Sequence, residues 1–450
     1  MRIRKIASWF FIIALLLVNT DIPARAVTPT ELQQQIQSET AVLIDGDTGQ
    51  VLFDKNMHRQ MSPASITKIM TALLALENAD LGDVITMTHD AVFAVTRGSS
   101  HIALDTDEQL TMEDAMYALA IASANDAANG IAEHVGGTLD HFAEMMNLRA
   151  KEAGALHTHF ANANGLPDPN HYTTAYDMAM ITMQAIKTPY FTDIFSTQIY
   201  EMSPTNKQEE PRTFWRKSAL ILGRNQYDGC IMEKTGWTND AQHTFVAAAQ
   251  RDGRTLIAVV MKSSVAKDKL MDTTMLFDYG FDEFIRVNFA AGELSKENYQ
   301  INDAHGHQAE IDISTPEGFS CLIPKSLTRN DITVNYITEN VGADDSMRVK
   351  AVFTLPPSYA RVAELGELEM FAHLKEPSGD AAPVNVLPIE SAQPQESEEP
   401  EHAATFPSIV TWILCVIGVI LGIFVVLYVR RYLIIRRRRR GRRFRRMNGV

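Results

Sequence analysis

The order of strand and helix patterns in the first 285 residues is the feature that most restricts the fold. Near the start, Thr40-Ala-Val-Leu-Ile-Asp and Val51-Leu-Phe-Asp are typical of two strands joined by a polar turn. Far along the chain, HTFVAAAQ and TLIAVVM are again typical of strands, joined by the tight turn Arg251-Asp-Gly-Arg. Helical patterns fill the interval. The sequence therefore predicts an α+β fold, with one antiparallel sheet built from both ends of this segment and a helical insert between them.

The insert begins at Pro63-Ala-Ser-Ile-Thr-Lys, where an apolar run with helical spacing predicts a buried helix. Ser65 falls in the first turn, and Lys68 lies three residues on, on the same face. This places a hydroxyl beside an amine at a helix N-terminus, whose free N–H groups can receive an oxyanion. A serine with a base in reach is an activated nucleophile. Taken alone, however, a serine here is better explained as an N-cap, and a second Ser-x-x-Lys occurs at Ser264-Val-Ala-Lys267.

The remaining helices of the insert are predicted from caps and periodicity. A capping box at Thr111-Met-Glu-Asp114 opens the apolar stretch AMYALAIA, which ends at Ser123, and AANGIAEHV is typical of the next helix. Further helices are predicted at 139–153, at 175–187 with Thr174 and Asp177 as the cap, and at Thr273–Tyr279, whereas 88–110 and 200–220 are predicted to be irregular.

From about Val287 the pattern changes to short alternating segments such as ITVNYI and MRVKAVFTL, which predict a small all-β second domain. A stretch rich in Glu, Pro, Gln and Ser follows it and is predicted to be a flexible linker. The predicted division is a signal peptide at 1–26, the main α+β domain at 27–285, the β-rich domain at 286–390, the linker at 391–406, a transmembrane helix at 407–435 and an Arg-rich tail at 436–450.

Both ends of the chain carry membrane signals. Basic residues precede a short apolar run, and Ala24-Arg-Ala26 resembles a cleavage site, which predicts an export signal. Ile409–Val429 is 21 residues without a charge, long enough to span a bilayer. Eleven arginines follow between Arg430 and Arg446, and the positive-inside rule places them in the cytosol. We therefore expect a single-pass protein of the cell membrane, with its main domains outside the cytoplasm and its tail inside.

The charge of the exported part excludes some partners. Once the signal and the tail are removed, 26 basic and 54 acidic residues remain, so the net charge is −28. This charge argues against nucleic acid as a partner, and the Arg tail is better explained as a topogenic segment on anionic lipid. Cys230 and Cys321 lie in different predicted domains, so we do not expect a disulfide between them.

Three short motifs occur in a recognisable order: Ser65-x-x-Lys68, Ser123-Ala-Asn125 and Lys234-Thr235-Gly236. Their contexts are a helix start, an inter-helix loop and a segment leading into a strand. In these motifs the chain resembles the penicillin-recognising serine enzymes. Together with stretches such as SPASITKIMTALLALE and FANANGLPDPNHYTTAYDMA, it resembles the low-molecular-mass penicillin-binding proteins, the serine-type D-alanyl-D-alanine carboxypeptidases (peptidase S11-like), over about residues 40–390.

The resemblance implies a β-lactamase/transpeptidase-like fold and assigns a role to each motif residue. Ser65 would attack the penultimate D-Ala carbonyl of a peptidoglycan stem peptide, with Lys68 as base, and β-lactam antibiotics would acylate it. Ser123 would relay a proton to the leaving amine, and Asn125 would bind the substrate amide. Lys234 and Thr235 would hold the terminal carboxylate of the substrate, and Gly236 would let the substrate backbone approach the strand. The oxyanion hole would consist of the backbone N–H groups of Ser65 and Trp237.

Three residues depart from the family pattern. Ala124 replaces the usual glycine of the second motif and is expected to narrow that loop. Gln242 replaces the glycine that usually follows the third motif. Glu233 directly precedes Lys234, and its negative charge is expected to offset part of the positive charge of that lysine.

Alternative functions remain open at this stage. Within the same fold they are a DD-endopeptidase or a β-lactamase, although no Glu-x-x-Leu-Asn stretch lies between the second and third motifs. A wall-binding module with a decayed active site is the alternative of a different class. We expect no metal or other cofactor, because His157-Thr-His159 and His305-Gly-His307 are typical of loop histidines and no HExxH motif occurs.

Overall fold

A five-stranded antiparallel sheet organises the protein, as seen in a computed structural model that describes residues 28–216, 220–221, 226–302, 308–340, 347–357 and 364–374. Its strands are β1 (Thr40–Asp45), β2 (Val51–Lys55), β7 (Cys230–Thr238), β8 (Gln242–Arg251) and β9 (Arg254–Ser263), in the order β2-β1-β9-β8-β7. Strands from both ends of the segment meet where β1 pairs with β9, with Thr40 opposite Met261. This confirms the predicted α+β arrangement.

Alternation along the strands explains why both faces of the sheet are covered. Val42 and Val259 face the helical insert, whereas Leu43 and Val260 face a second core that includes Leu32. The first core is closed by 3₁₀ turn Ala64–Thr67 and by helices α2 (Lys68–Asn78), α3 (His89–Phe93), α4 (Met112–Tyr117), α5 (Asn125–Gly136), α6 (Leu139–Glu152), α7 (Ala175–Ala185) and α8 (Phe191–Ser196). The second is covered by α1 (Pro29–Gln35) and α9 (Asp268–Glu283).

The caps predicted from sequence are present. Thr111 and Asp114 form the capping box of α4, and the Thr174 hydroxyl accepts the backbone N–H of Asp177 at 3.0 Å. The closing helix α9 is longer than predicted.

Two segments predicted to be irregular contain regular structure. Residues 88–110 include α3 and the start of β4 (Gln109–Thr111), which pairs with β3 (Val84–Thr86). Residues 200–220 include most of a hairpin of β5 (Ile199–Met202) and β6 (Arg212–Trp215). A contact between distant residues stabilises both segments. The buried Glu108 carboxylate of the first segment accepts a hydrogen bond of 2.7 Å from the guanidinium of Arg212 in the second. Local sequence carries no periodic signal for such a pairing.

The β-rich part follows α9 without a break. It contains β10 (Phe284–Phe289), β11 (Lys296–Asn302), β12 (Gln308–Ser314), β13 (Phe319–Pro324), β14 (Thr333–Asn340), β15 (Met347–Thr354) and β16 (Glu364–Leu374), with a short helix α10 (Ala291–Leu294) and a 3₁₀ turn at Arg329–Asp331. The strands form a β10-β13 pair and a sheet in the order β11-β12-β16-β15-β14.

One buried side chain joins the β-rich part to the main sheet. The Gln50 amide donates to the carbonyl oxygen of Leu322 at 2.7 Å and accepts the Leu322 N–H at 2.8 Å. Gln50 thus supplies hydrogen-bond partners to both ends of a buried residue of β13. The described residues on both sides of position 285 belong to one compact unit.

The predicted signal, linker, span and tail, and the pair His305-Gly-His307, lie outside the described residues. Among the helices that the structure does describe, none has both the length and the apolar character needed to cross a bilayer. Cys230 and Cys321 are both free thiols.

Replacing Gln50 is expected to destabilise the fold. Gln50→Ala removes both partners of the Leu322 peptide in a buried site, at a cost of about 1–3 kcal/mol for each unpaired group. We expect the free energy of unfolding in urea, followed by circular dichroism, to decrease by about 2–6 kcal/mol. Gln34→Ala, on the exposed face of α1, serves as control and should change it by less than about 0.5 kcal/mol. Equal effects of the two substitutions would contradict the joining role of Gln50.

Candidate active site

The Ser65 hydroxyl is presented by the 3₁₀ turn that leads into α2, and the edge strand β7 lies directly beside it. A side chain at Gly236 would come within 2.9 Å of the Ser65 backbone nitrogen, so glycine keeps the space in front of that N–H open. The Thr244 hydroxyl of β8 donates to the Pro63 carbonyl at 2.8 Å and fixes the start of the turn. The sequence placed the third motif before a strand, whereas the structure places it inside β7.

The Lys68 amine is fully buried and meets three oxygen atoms. Its Nζ lies 3.1 Å from Ser65 Oγ, 2.6 Å from Asn125 Oδ1 and 2.5 Å from the Asn164 carbonyl oxygen. Burial lowers the pKa of Lys68 well below its usual value, and the charge of Lys234 lowers it further, against an opposing effect of Asp126. A neutral amine can donate two hydrogens to Asn125 and Asn164, and its lone pair then faces the Ser65 hydroxyl. This is the arrangement of a general base.

Ser123 and Lys234 form a second pair. A π-helical turn, Ala118–Ala122, ends at Ser123, whose φ of 56° is in the left-handed region. Lys234 Nζ donates to Ser123 Oγ at 2.8 Å and to the Thr235 carbonyl at 3.0 Å. Burial lowers the pKa of Lys234 to about 7, and the charges of Arg216 and Lys269 act in the same direction. The two motifs are therefore joined by a direct hydrogen bond.

The structure shows the surroundings of the three residues that depart from the family pattern. Ala124 has φ −62° and packs into the core, so the expected narrowing of the loop does not follow from its methyl group. The Glu233 carboxylate accepts the Leu220 N–H at 3.0 Å on the face of β7 opposite to Lys234. Glu233 does raise the pKa of Lys234, but larger effects outweigh it. Gln242 has φ 52°, a left-handed conformation that glycine adopts without strain.

Asn125 ties the second motif to a neighbouring loop. Its Nδ2 donates to Ser99 Oγ at 2.9 Å, and its backbone N–H donates to the Ser100 carbonyl at 2.9 Å. With Oδ1 on Lys68, the side chain is held from both ends. The amide is therefore held in one position beside the base.

A cavity of about 470 Å³ opens beside Ser123, Lys234 and Thr235. Its far wall includes Phe214 and Arg216. The Arg216 guanidinium donates to backbone carbonyl oxygens, among them that of Thr197, which lies 2.8 Å from Arg216 Nε. The sequence analysis did not identify Arg216 as a site residue. An arginine in a polar segment carries no local signal, and pairing of β5 with β6 is what brings it here. The Trp237 side chain, 60% exposed, lies just beyond Gly236 on β7.

The histidine pair His157-Thr-His159 is not part of this site. No group of three or more potential metal ligands occurs among the side chains that the structure describes. The second Ser-x-x-Lys does not recreate the pair either, because Ser264 and Lys267 are exposed between β9 and α9.

Comparisons with known proteins agree with this geometry. The family model described as D-alanyl-D-alanine carboxypeptidase matches residues 26–265. The D-alanyl-D-alanine carboxypeptidase DacF of Bacillus subtilis is 33% identical over 302 residues, covering 66% of this chain and 75% of that protein. DacD of Escherichia coli is 29% identical over 307 residues, covering 65% and 75%.

Solved structures show the same relationship. Penicillin-binding protein 5 from Haemophilus influenzae has a TM-score of 0.61 and 26% identity, over 75% of this chain and 97% of that one. Penicillin-binding protein 6B from Escherichia coli has a TM-score of 0.55 and 26% identity, over 74% and 95%. With a family model matching more than half of its residues and its motif residues assembled around Ser65, the chain belongs to the serine-type D-alanyl-D-alanine carboxypeptidase family and is a hydrolase.

Proposed function

We propose that Ser65 is the nucleophile with which this enzyme removes the terminal D-alanine from peptidoglycan stem pentapeptides. The observation that carries the proposal is the buried Lys68 amine, 3.1 Å from Ser65 Oγ and held by two other acceptors. An amine in this setting is neutral at a pH where an exposed lysine is charged, so it can take the proton of the serine hydroxyl.

The reaction follows from the positions of these groups. Ser65 Oγ forms a bond to the carbonyl carbon of the penultimate D-Ala while its proton passes to Lys68 Nζ. The carbonyl oxygen becomes an oxyanion at the backbone N–H groups of Ser65 and Trp237. The C–N bond then breaks, and the proton that Lys68 received passes by way of the Ser123 hydroxyl to the leaving amine. In the second half Lys68 accepts a proton from the water that attacks the acyl-enzyme and returns it to Ser65 Oγ as the ester bond breaks, which releases the shortened peptide and restores Ser65.

Substrate selection uses the cations beyond the nucleophile. A peptide ending in D-Ala-D-Ala carries a terminal carboxylate, and Lys234, Thr235 and Arg216 line the cavity beside Ser123. We assign the carboxylate to this group. Gly236 leaves room for the substrate backbone beside β7, and Asn125, beside the base, is assigned to the substrate amide. The carboxylate of a β-lactam fits the same cations, so the drug would acylate Ser65.

The alternatives are separated by these contacts and by products. A decayed wall-binding module has no need for a buried amine oriented on Ser65, and this geometry disfavours it. An endopeptidase shares the whole set of residues, so mass analysis of the products from pentapeptide and from cross-linked peptide must distinguish the two. The penicilloyl adduct is expected to be long-lived, and turnover of penicillin at several per second would indicate a β-lactamase.

Removing the nucleophile is expected to abolish labelling. Ser65→Ala should show no covalent band with fluorescent penicillin on a denaturing gel while keeping its circular dichroism spectrum. Lys68→Ala should also lose acylation, because the base is gone. Ser264→Ala is the matched control, since it alters the exposed Ser-x-x-Lys copy, and its labelling should equal that of the wild type. Wild-type labelling of Ser65→Ala would overturn the assignment.

The two lysines should impair the reaction at opposite ends of the pH range. Loss of the neutral Lys68 amine slows acylation at low pH, and loss of the charged Lys234 weakens substrate binding at high pH. Lys68 acts as the neutral amine, so the acylation rate constant should fall as the pH drops through its lowered pKa. Lys234 binds as the cation with a pKa of about 7, so KM for peptides with a free carboxylate should rise as the pH increases beyond 7. Peptides ending in an amide should respond less. Lys267→Ala is the control, and an acylation rate that rises toward acid pH would contradict the role of Lys68.

We further propose that the chain is a single-pass membrane protein with its active site outside the cytoplasm. The support is the signal peptide predicted at 1–26, the apolar stretch Ile409–Val429 and the arginines that follow it.

We therefore expect that membrane attachment can be removed without loss of catalytic activity. A chain of residues 27–390 should remain soluble and should cleave a soluble D-Ala-D-Ala peptide at the full-length rate, because every motif residue lies before 238. Sedimentation of cell fractions and a peptide hydrolysis assay measure the two properties. A folded but inactive 27–390 chain would show that the C-terminal part contributes to the site.

A further inference from the structure

The peptide unit between Ala64 and Ser65 has two functional ends. Its N–H, on Ser65, is one of the two proposed oxyanion donors. Its carbonyl, on Ala64, points the opposite way, because a trans peptide is planar. Any contact that holds the Ala64 oxygen therefore also sets the direction of the Ser65 N–H. Ala64 has φ 52°, a left-handed conformation that alanine does not prefer, so the surrounding structure must maintain it.

The Ala64 oxygen is held from the interior. The Thr67 hydroxyl, fully buried, donates to it at 2.8 Å. Gly165 packs directly against the same carbonyl with φ +87°, and any side chain there would overlap with the Ala64 oxygen. The carbonyl end of the peptide is thus enclosed by α2 and by the loop that contains Gly165.

The hydroxyl of Thr67 is itself oriented by His171. The Ala161 backbone N–H donates to His171 Nδ1 at 3.0 Å, and a backbone N–H cannot accept, so Nδ1 carries no proton. Nε2 therefore carries the proton and donates to Thr67 Oγ1 at 2.8 Å. This contact leaves the one hydrogen of the Thr67 hydroxyl for Ala64. The three hydrogen bonds point in a single direction, from Ala161 to the carbonyl of Ala64.

The surroundings keep the imidazole neutral and fixed. His171 is 3% exposed, and the ring of Phe160 packs edge-on with a centroid distance of 5.7 Å. Burial lowers the pKa of His171 to about 4. The base Lys68, by contrast, is held by Asn125 and Asn164. The hydrogen bonds to Ala64 therefore act on the oxyanion donor and leave the serine–lysine pair in place.

We propose that His171 and Thr67 are positioning residues that aim the Ser65 N–H into the oxyanion hole, an inference that rests on the proposed acyl-enzyme chemistry at Ser65. It assigns a function to a buried histidine that makes no contact with the reacting groups, and it predicts a selective defect. Stabilisation of the tetrahedral state should weaken while binding of the ground-state peptide is preserved.

The test uses Thr67→Val, which keeps the shape of the side chain and removes its hydrogen bonds. We expect the acylation rate constant with penicillin to fall about 10- to 100-fold. This decrease is at most as large as the one that follows removal of a whole oxyanion donor, about 100- to 1,000-fold. Thr67→Ser retains the hydroxyl and should stay within about threefold of the wild type. Thr182→Val is the matched control, because the buried Thr182 hydroxyl also donates to a backbone carbonyl, that of Met178 at 2.6 Å, but away from Ser65.

A second measurement separates positioning from a general loss of structure. A peptide boronate that mimics D-Ala-D-Ala forms a tetrahedral adduct on Ser65 and places an oxygen in the oxyanion hole. Its affinity should fall in Thr67→Val by the same factor as acylation. The affinity of the unreacted peptide, measured in the Ser65→Ala background with and without Thr67→Val, should be unchanged. The pH at which the acylation rate constant falls on the acid side, which is set by Lys68, should be the same in Thr67→Val as in the wild type.

The histidine is tested in the same assays. His171→Gln can place an amide N–H toward Thr67 and should retain acylation to within about threefold, whereas His171→Leu should lose it as Thr67→Val does. Because the two residues act in series, the double variant Thr67→Val/His171→Leu should be no slower than the slower single variant. If the leucine variants do not fold, Thr67→Val and His171→Gln still test the proposal through the boronate affinity.

Several outcomes would overturn it. Thr67→Val acylated at the wild-type rate would do so, as would equal losses of boronate and peptide affinity, or an equal slowing in Thr182→Val. In each of these cases the wild type remains an active acylating enzyme, and only the positioning role is lost. A wild-type protein that is not acylated at Ser65 would instead overturn the proposed function and this inference together.

Discussion

The burial of one amine is the constraint on which the rest of the structure depends. Lys68 has no exposed surface, and a charged ammonium there would cost much desolvation energy. The fold meets this cost by lowering its pKa and by supplying Asn125 and the Asn164 carbonyl as acceptors. Those acceptors come from two separate segments of the insert, so the helices must assemble before the base has its environment. Stability and chemistry are therefore linked at this residue.

The sheet explains why the cleft lies where it does. β7 is an edge strand, so its outer side is free of a neighbouring strand within the described sheet, and the third motif lies along it. Alternation sends Lys234 toward the insert and Glu233 toward the opposite core. The hydrogen bond between Lys234 and Ser123 then connects sheet and insert across the cleft. Gly236 keeps the nucleophile's N–H accessible at the same edge.

The neighbourhood of the nucleophile contains several backbone conformations that its side chains do not prefer. Ala64 and Ser123 both have positive φ, and each is held by contacts from other segments. Such conformations persist when contacts with the surrounding structure hold them in place, and they are common at reactive sites. Gln242 shows the same left-handed backbone conformation, which glycine adopts without strain.

The sequence by itself determined the α+β class, the two helix caps, the order of the three motifs and the pairing of Ser65 with Lys68, because each rests on local patterns or on neighbours within one helical turn. Only the tertiary structure decided the rest. Arg216 reaches the cleft because β5 pairs with β6, and the hairpin is stabilised by Glu108, about a hundred residues away in the chain. His171 reaches Thr67 across 104 positions. Contacts between such distant residues leave no periodic trace, since they depend on packing and on buried hydrogen bonds that exist only in the folded chain.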